Sequence, residues 1–386
     1  MAKKKDKSFV RNVAQERTYQ NQDKAYEEAY FKWRADDKNK YSFNYVQDTR
    51  EHSYMAGRGF IKHGADAAEQ QTLHNCLRLL GTVMLVMLVF DVINYLITVF
   101  LNNGLSCNAV YYSEKNVLGD TPLSLCVLTM AVSILKYSAA IAIYLVRTKL
   151  PLNVALPSGN TSGSFGFYSA VLMMMISIVC RISSAILAHL LGYAHVDSVH
   201  IYMFNNSHIA ALVISLLYNC VVMPVFCEIF FRGLVLQSFR QFGDSFAMVV
   251  SSLACGLCFY DISYMGYSIA CSVVISVFTI RSGSIKTAVL MHTLSSTLNY
   301  ILILTGIMNS SAGEILSIAV YMLICAASLV IYSKMNDMAG WSFNIRQSGS
   351  ELSFMKKIQL MLSSNTVAMW FISTLIMTVV CMKFIS

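Results

Sequence analysis

Two opposite charges stand four residues apart inside a long apolar stretch of this chain. Glu228 and Arg232 belong to the run Cys-Glu-Ile-Phe-Phe-Arg-Gly at positions 227–233. Ionisable side chains are costly at membrane depth, so those that occur there mark a functional site or a buried structural pair. A carboxylate in this position has the chemistry of a general base acting on water. The same spacing favours an intrahelical ion pair, and the sequence leaves both interpretations open.

A second polar group lies further along the chain, in another apolar segment. His292 is followed at helical spacing by Ser296 and Asn299, so the three side chains share one predicted helix face. Histidine at membrane depth serves as a metal ligand, a proton carrier or a hydrogen-bonded core residue. Ser and Thr in such helices usually bond to backbone or to neighbouring helices. A lone histidine favours the core interpretation, and the other two stay open.

Three further charges are each alone in an apolar segment: Asp91, Lys136 and Arg181. The structural interpretation is a cross-helix ion pair, such as Asp91 with Lys136, that fixes helix packing. The functional interpretation is a solute or proton carrier that uses these charges together with Glu228. No inverted repeat and no pair of Gly/Pro-broken helices supports a carrier.

Apolar segments that must position these groups make up most of the chain. It has 386 residues, of which 56% are hydrophobic and 13% charged, whereas about 25% are charged in soluble domains. The composition predicts an all-α fold, a polytopic bundle of about eight or nine transmembrane helices. Judged against the roughly 20 residues that span a bilayer, nine segments qualify: 77–101, 122–146, 166–191, 207–231, 245–260, 266–280, 284–306, 312–332 and 365–384.

The loops between these segments predict an orientation. Basic residues exceed acidic ones in alternate loops, at 147–165, 232–244, 281–286 and 333–364. Because positive charge favours the cytoplasmic side, we expect a cytoplasmic N-terminus and an outside C-terminus.

The eleven cysteines lie in or beside apolar segments, apart from Cys107 in a loop, so we expect no disulfide framework. Cys255 and Cys258 have CxxC spacing inside an apolar helix. Buried cysteine usually behaves as a small hydrophobe, so this pair is assigned to packing.

Residues 1–72 form a polar segment that precedes the apolar ones. Tyr19, Tyr26, Tyr30 and Trp33 approximate a helical stripe, which predicts a solvated amphipathic helix packed on the cytoplasmic face. The alternative is contact with a membrane surface or nucleic acid through the lysines. Acidic residues are interspersed throughout, so we expect no nucleic-acid partner.

Three runs of residues together resemble the motifs of the CPBP family, which comprises CAAX-prenyl-protein proteases and bacteriocin-processing or immunity proteins. Residues 227–233 resemble the first motif, EExxxR followed by Gly. Residues 251–261 resemble the second, FxxxH, and residues 292–296 the third, HxxxN. The resemblance covers about 160–335. It implies a transmembrane core of this family and, in active members, peptide hydrolysis within the membrane.

Only part of the family's active site carries over. The resemblance implies that a first Glu activates water and that two His and an Asn complete the site. Glu228 matches the second Glu of the first motif, Arg232 its Arg, and His292 the third-motif His. Substitutions stand at the remaining positions: Cys227 for the first, catalytic Glu, Phe259 for the second-motif His, and Ser296 for the Asn.

Four alternative uses of nearby side chains would restore groups for peptide hydrolysis. Glu228 would have to turn inward, although successive helical residues differ by about 100° in direction, which predicts that it faces away from Cys227. Asp261 would supply a carboxylate near Phe259, and Asn299 an amide one turn beyond Ser296. Alternatively, Cys227 and His292 would form a thiol–imidazole pair for nucleophilic attack.

The sequence therefore predicts a pseudoprotease, a catalytically impaired relative that binds a membrane protein or peptide as a regulatory or immunity scaffold. The alternative is an active intramembrane metalloendopeptidase, a hydrolase with Glu228 and His292 as catalytic residues and zinc, if present, on His292. We expect an integral protein of the bacterial plasma membrane, in contact with the lipid bilayer. Its predicted parts are a charged segment 1–72, two helices in 77–146, a core in 160–335, and a polar segment plus last helix in 336–386.

Overall fold

The protein is a bundle of α-helices, as the apolar segments predicted. The computed structural model describes residues 10–12, 22–48, 53–55, 59–61, 64–104, 123–159, 162–193, 196–198, 209–307, 311–336 and 350–384. The loop cysteine Cys107, Tyr19 of the predicted stripe and residues 337–349 of the predicted polar segment 333–364 lie outside these residues.

Fourteen α-helices account for most of the described chain. In chain order they are α1 (Lys24–Arg34), α2 (Ala65–Gly104), α3 (Leu123–Thr148), α4 (Leu152–Ala155), α5 (Gly163–Tyr193), α6 (Ile209–Leu217), α7 (Met223–Glu228), α8 (Leu236–Phe239), α9 (Asp244–Gly256), α10 (Ile262–Ser282), α11 (Ile285–Ile307), α12 (Ser311–Asn336), α13 (Phe354–Ser363) and α14 (Asn365–Val380). Helical segments of π and 3-10 type join α6, α7 and α8, so residues 209–242 form one continuous rod, called the motif helix below.

Strands in the described residues are short and occur in antiparallel pairs that tie chain segments together. The pairs are β1 (Val10–Asn12) with β2 (Val46–Asp48), β3 (Ser53–Met55) with β4 (Gly59–Ile61), and β5 (Val196–Ser198) with β6 (Met382–Phe384).

Membrane-crossing helices are fewer than the nine predicted. Among the described residues, six helices are long and apolar enough to cross a membrane, or seven if the α13–α14 pair, bent by 71°, counts as one. A helix of at least 18 residues is needed to count as a candidate membrane span, and α9 with its 3-10 extension, Asp244–Phe259, is shorter than that. Helix α11, which carries His292, Ser296 and Asn299, is not among these six.

The motif helix contains two π segments, Tyr218–Val222 and Ile229–Val235, on either side of α7. Pro224 stands at the start of α7. Because proline lacks a backbone N–H, it cannot donate to the regular helical ladder. Single-turn π segments are frequent at functional sites. They offset the faces of α7 from those of a regular α-helix.

Gly233 brings the motif helix unusually close to α4. A Cβ atom placed on Gly233 would lie 2.5 Å from the carbonyl oxygen of Ala155. The glycine that ends the first motif-like run is therefore required by backbone contact.

The aromatic stripe of the N-terminal segment is present on α1 and is buried in the bundle. Tyr26 donates a hydrogen bond to Gln237 Oε1 (2.7 Å), and Trp33 Nε1 donates to the Thr148 carbonyl (2.8 Å). Tyr30 is fully buried and bonds to the backbone of Gln237 (3.0 Å). The stripe thus packs on the motif helix and on α3 and is not a solvated surface.

The predicted pair of Asp91 and Lys136 is confirmed. Lys136 Nζ lies 2.7 Å from Asp91 Oδ1 and joins α3 to α2. Tyr260, after α9, donates to the other oxygen of Asp91 at 2.9 Å. This arrangement satisfies both charges within the bundle and favours the structural interpretation over the carrier.

Candidate active site

A small buried cavity lies where the motif helix, α9, α10 and α11 meet. Its volume is about 50 Å³, room for a few water molecules at about 10–15 Å³ each. Most of the predicted site residues line it: Glu228, Arg232, Phe259, His292, Ser296 and Asn299. The lining also includes residues that the sequence did not single out for the site, among them Cys255, Tyr267 and Ser272. The fold therefore brings the three motif-like runs to one place.

Glu228 and His292 form a short polar contact in the cavity. His292 Nδ1 lies 2.6 Å from Glu228 Oε1, and the Glu228 side chain is fully buried. An ionised carboxylate only accepts hydrogen bonds, so the imidazole tautomer that fits carries its proton on Nδ1 and a lone pair on Nε2. The His292 side chain remains 23% exposed.

Arg232 neutralises the same carboxylate and ties three helices together. Its Nε lies 3.1 Å from Glu228 Oε2. Its Nη2 donates to the Ser272 carbonyl (3.0 Å) and hydroxyl (2.6 Å) on α10, and its Nη1 contacts Cys255 Sγ at 3.5 Å. The ion-pair interpretation of Glu228 is therefore confirmed, and its other oxygen faces His292.

The sequence predicts that Glu228 faces a different direction from Cys227, and of the two it is Glu228 that turns toward the cavity. Glu228 lines the cavity, whereas Cys227 lies beside it. Both residues lie in α7, where the step of about 100° per residue applies. The π segment begins only at Ile229, so it shifts the faces of later residues such as Arg232.

Cys227 and Cys255 face each other across the motif helix and α9. Their sulfur atoms lie 3.8 Å apart, and both residues are buried. Sequence analysis assigned Cys255 to packing through its CxxC spacing. The signal that it missed is a different spacing, since Cys255 stands one helical turn before Phe259 and shares its face.

At the second-motif position an aromatic ring borders the cavity, and no imidazole is available there. Phe259 is 42% exposed, and its ring packs edge-on against Tyr264 at 5.2 Å between centroids. Tyr264 in turn lies 4.5 Å from Tyr267. These three residues, called the aromatic edge below, form a continuous apolar rim.

Asn299 and Asp261, the side chains that the sequence offered as replacements for missing site residues, differ in whether they reach the cavity. Asn299 lines the cavity, donates to Tyr267 (2.8 Å) and accepts from Arg181 (3.2 Å). Asp261 does not line it, because its carboxylate caps the start of α10 through the backbone N–H of Ser263 at 2.8 Å. The expectation that Asp261 supplies a carboxylate to the site is therefore wrong.

One group of side chains in the described part of the protein has the composition and spacing to hold a metal ion. Cys227, Glu228 and His292 each offer one donor atom, and these atoms lie within 4.8 Å of one another. Thiolate, carboxylate and imidazole are all zinc ligands. The predicted ligand set of His292 alone is thus enlarged to three.

Comparison with known proteins assigns this region to a family. Residues 209–298 match the family model described as type II CAAX prenyl endopeptidase Rce1-like. The match spans the motif helix, α9, α10 and half of α11, a narrower range than the predicted 160–335, and confirms the resemblance to the CPBP family there. No curated protein and no solved structure matches the chain. The protein is an intramembrane-protease-like membrane protein.

Proposed function

We propose that this protein binds a membrane protein or peptide at the aromatic edge and the adjoining cavity and does not hydrolyse it efficiently. The observation that carries this proposal is the state of Glu228, whose two carboxylate oxygens face Arg232 (3.1 Å) and His292 (2.6 Å). Among the described residues Oε2 finds no hydrogen-bond donor, but it is buried against the guanidinium, so a water that Glu228 is to orient and deprotonate must compete with these two partners.

Two substitutions in the cavity reinforce the same conclusion. Cys227 stands where the family resemblance has its catalytic Glu, and Phe259 stands in place of a histidine. Removing one general acid–base group typically lowers a rate by about 10²–10⁴. The missing groups therefore account for a slow or absent hydrolytic step.

Recognition would use the aromatic edge. Phe259 is 42% exposed beside a cavity too small, at about 50 Å³, to enclose a peptide segment. A helix or lipidated peptide would therefore lie against the edge and direct a polar group toward Asn299 and His292. Aromatic rings supply large apolar contact area at such surfaces.

The test measures binding and cleavage in one sample. Purified full-length protein in detergent is mixed with fluorophore-labelled membrane peptides, including prenylated C-terminal peptides, because the matching family model describes prenyl endopeptidases. Fluorescence anisotropy reports binding, and mass spectrometry of the same mixture reports cleavage. We expect saturable binding with intact peptide.

Matched variants define the surface. Phe259→Ala should weaken binding several-fold, whereas Leu323→Ala, on α12 and 72% exposed, should leave it unchanged. Cleavage that disappears in both Glu228→Ala and His292→Ala would reject the proposal and establish the alternative below. Absence of binding to every peptide in the panel would also count against the proposal. So would an equal loss of binding in Phe259→Ala and Leu323→Ala.

An active hydrolase is the second candidate, and the Glu228–His292 hydrogen bond of 2.6 Å favours it. A buried carboxylate that orients an imidazole leaves Nε2 as the base, as in catalytic triads. On this hypothesis His292 would deprotonate a water in the cavity, and Asn299 would bind the oxyanion of the tetrahedral intermediate.

A further inference from the structure

We propose that Cys227, Cys255, Glu228 and His292 form a closed zinc site with four protein ligands. This inference goes beyond the proposed function, because a partner can bind at the aromatic edge whether or not a metal ion lies beneath it.

The donor atoms are already close together. One atom each from Cys227, Glu228 and His292 lies within 4.8 Å of the others. Zinc holds its ligands at about 2.0–2.3 Å, so the ligands of one ion lie within roughly 4 Å of one another. Cys255 Sγ, 3.8 Å from Cys227 Sγ, is the adjacent fourth donor. Rotation of the Cys255 side chain toward the other three donors would close the site. The Glu228–His292 hydrogen bond would be exchanged for two metal bonds, with the imidazole proton moving from Nδ1 to Nε2.

The two thiols occupy positions where the family motifs have other residues. Cys227 takes the place of the catalytic Glu, and Cys255, four residues before Phe259, takes the place of the motif Phe. The two substitutions bring two zinc-binding side chains into contact from different helices. Simple packing would explain two touching thiols, but it leaves unexplained a carboxylate and an imidazole with donor atoms within 4.8 Å of the Cys227 sulfur.

Charge balance favours this ion at membrane depth. Zinc would displace one proton from each thiol, so two S–H bonds are exchanged for two Zn–S bonds and two protons leave to solvent. Replacing two protons by one divalent cation leaves the net charge unchanged. No uncompensated charge is therefore created in a region where such charge is costly. Metal binding of this kind weakens at low pH, because the ligands must be deprotonated.

Arg232 supplies the outer contacts that such sites need. Its Nε lies 3.1 Å from Glu228 Oε2, and its Nη1 lies 3.5 Å from Cys255 Sγ. Groups that contact the ligands from outside orient them and stabilise their charged forms. Four protein ligands would leave no open position for water, which is the arrangement of structural zinc sites. The ion would join the motif helix to α9 and α11.

Elemental mass spectrometry of the purified, detergent-solubilised full-length protein tests the site. We expect about one zinc per chain, lost in Cys227→Ser, Cys255→Ser and His292→Ala. Cys76→Ser is the matched control, because Cys76 is a buried free cysteine on α2, and it should retain the metal. Cobalt exchanged into the wild-type protein should give a thiolate-to-cobalt charge-transfer band. This measurement tests the site in the wild-type protein alone.

Three results would overturn the inference: no stoichiometric metal and no cobalt band in the wild type, metal that survives loss of both cysteines, or a Cys227–Cys255 disulfide in a non-reducing peptide map. Monodispersity in size-exclusion chromatography verifies that each variant is folded. The wild-type cobalt spectrum decides the question even if every variant aggregates. Loss of the metal site would leave peptide binding at Phe259 unaffected, so the two proposals fail separately.

Discussion

His292 Nδ1 lies 2.6 Å from Glu228 Oε1 and joins α11 to the motif helix across 64 residues of chain. The same carboxylate lies 3.1 Å from Arg232 Nε, so one buried acid holds two partners. Removal of the acid would leave a buried guanidinium without its countercharge.

Glu228→Ala is therefore expected to destabilise the protein by about 3–5 kcal/mol, the usual effect of breaking a buried ion pair from one side. Thermal unfolding in detergent measures the change. The double variant Glu228→Leu with Arg232→Met should recover much of the loss, because it leaves neither charge alone. Glu314→Ala, an exposed acid on α12, is the control and should have little effect. Equal stability of Glu228→Ala and wild type would contradict the ion pair.

Gly233→Ala should destabilise the bundle, because the added methyl would meet the Ala155 carbonyl oxygen at 2.5 Å. Overpacking of this kind costs about 1–3 kcal/mol. Gly266→Ala provides a matched control inside another helix, since no atom lies within 4 Å of its added Cβ. That control should be neutral or stabilising by up to about 1 kcal/mol. The reverse order of the two melting temperatures would refute the close helix contact.

Asp91 and Lys136 should show coupling in a double-mutant cycle. Each single change, Asp91→Asn or Lys136→Met, leaves one charge buried opposite a neutral side chain, whereas the double variant removes both. We expect the double variant to be more stable than the sum of the single effects predicts, by about 0.5–3 kcal/mol. Unfolding midpoints of the four proteins give the coupling energy. Additive effects would mean that the 2.7 Å contact contributes nothing.

Restoring the motif groups should create or raise peptide hydrolysis. The triple variant Cys227→Glu, Phe259→His, Ser296→Asn places all three side chains at the cavity or beside it. We expect at least a 10²-fold increase in cleavage of any peptide that the wild type binds, because each acid–base group contributes about 10²–10⁴. A control with Cys227→Gln in place of Cys227→Glu has the same size without the base and should remain inactive. Equal rates in the two triple variants would show that the carboxylate at this position does no chemistry.

Several features of the fold could be predicted because they depend on local pattern. The apolar runs predicted the membrane helices, although in the described residues the short α9 is not long enough to count as one of them. The stripe of Tyr26, Tyr30 and Trp33 predicted α1, because aromatic residues three or four positions apart lie on one face of a helix. Burial of that stripe against Gln237 and Thr148 was not predictable, since those partners come from distant segments.

The sequence by itself determined the class of protein, the identity of the polar groups at membrane depth and the order of the motif-like runs. Composition and spacing are local properties, and the cost of a buried charge holds at any position in a membrane. The tertiary structure decided that Glu228 faces His292, that Cys255 contacts Cys227 and that Asp261 caps a helix. These relationships depend on how each helix is rotated about its axis. The π segments beside α7 set that rotation for the motif helix, and the spacing of residues along the chain does not encode it.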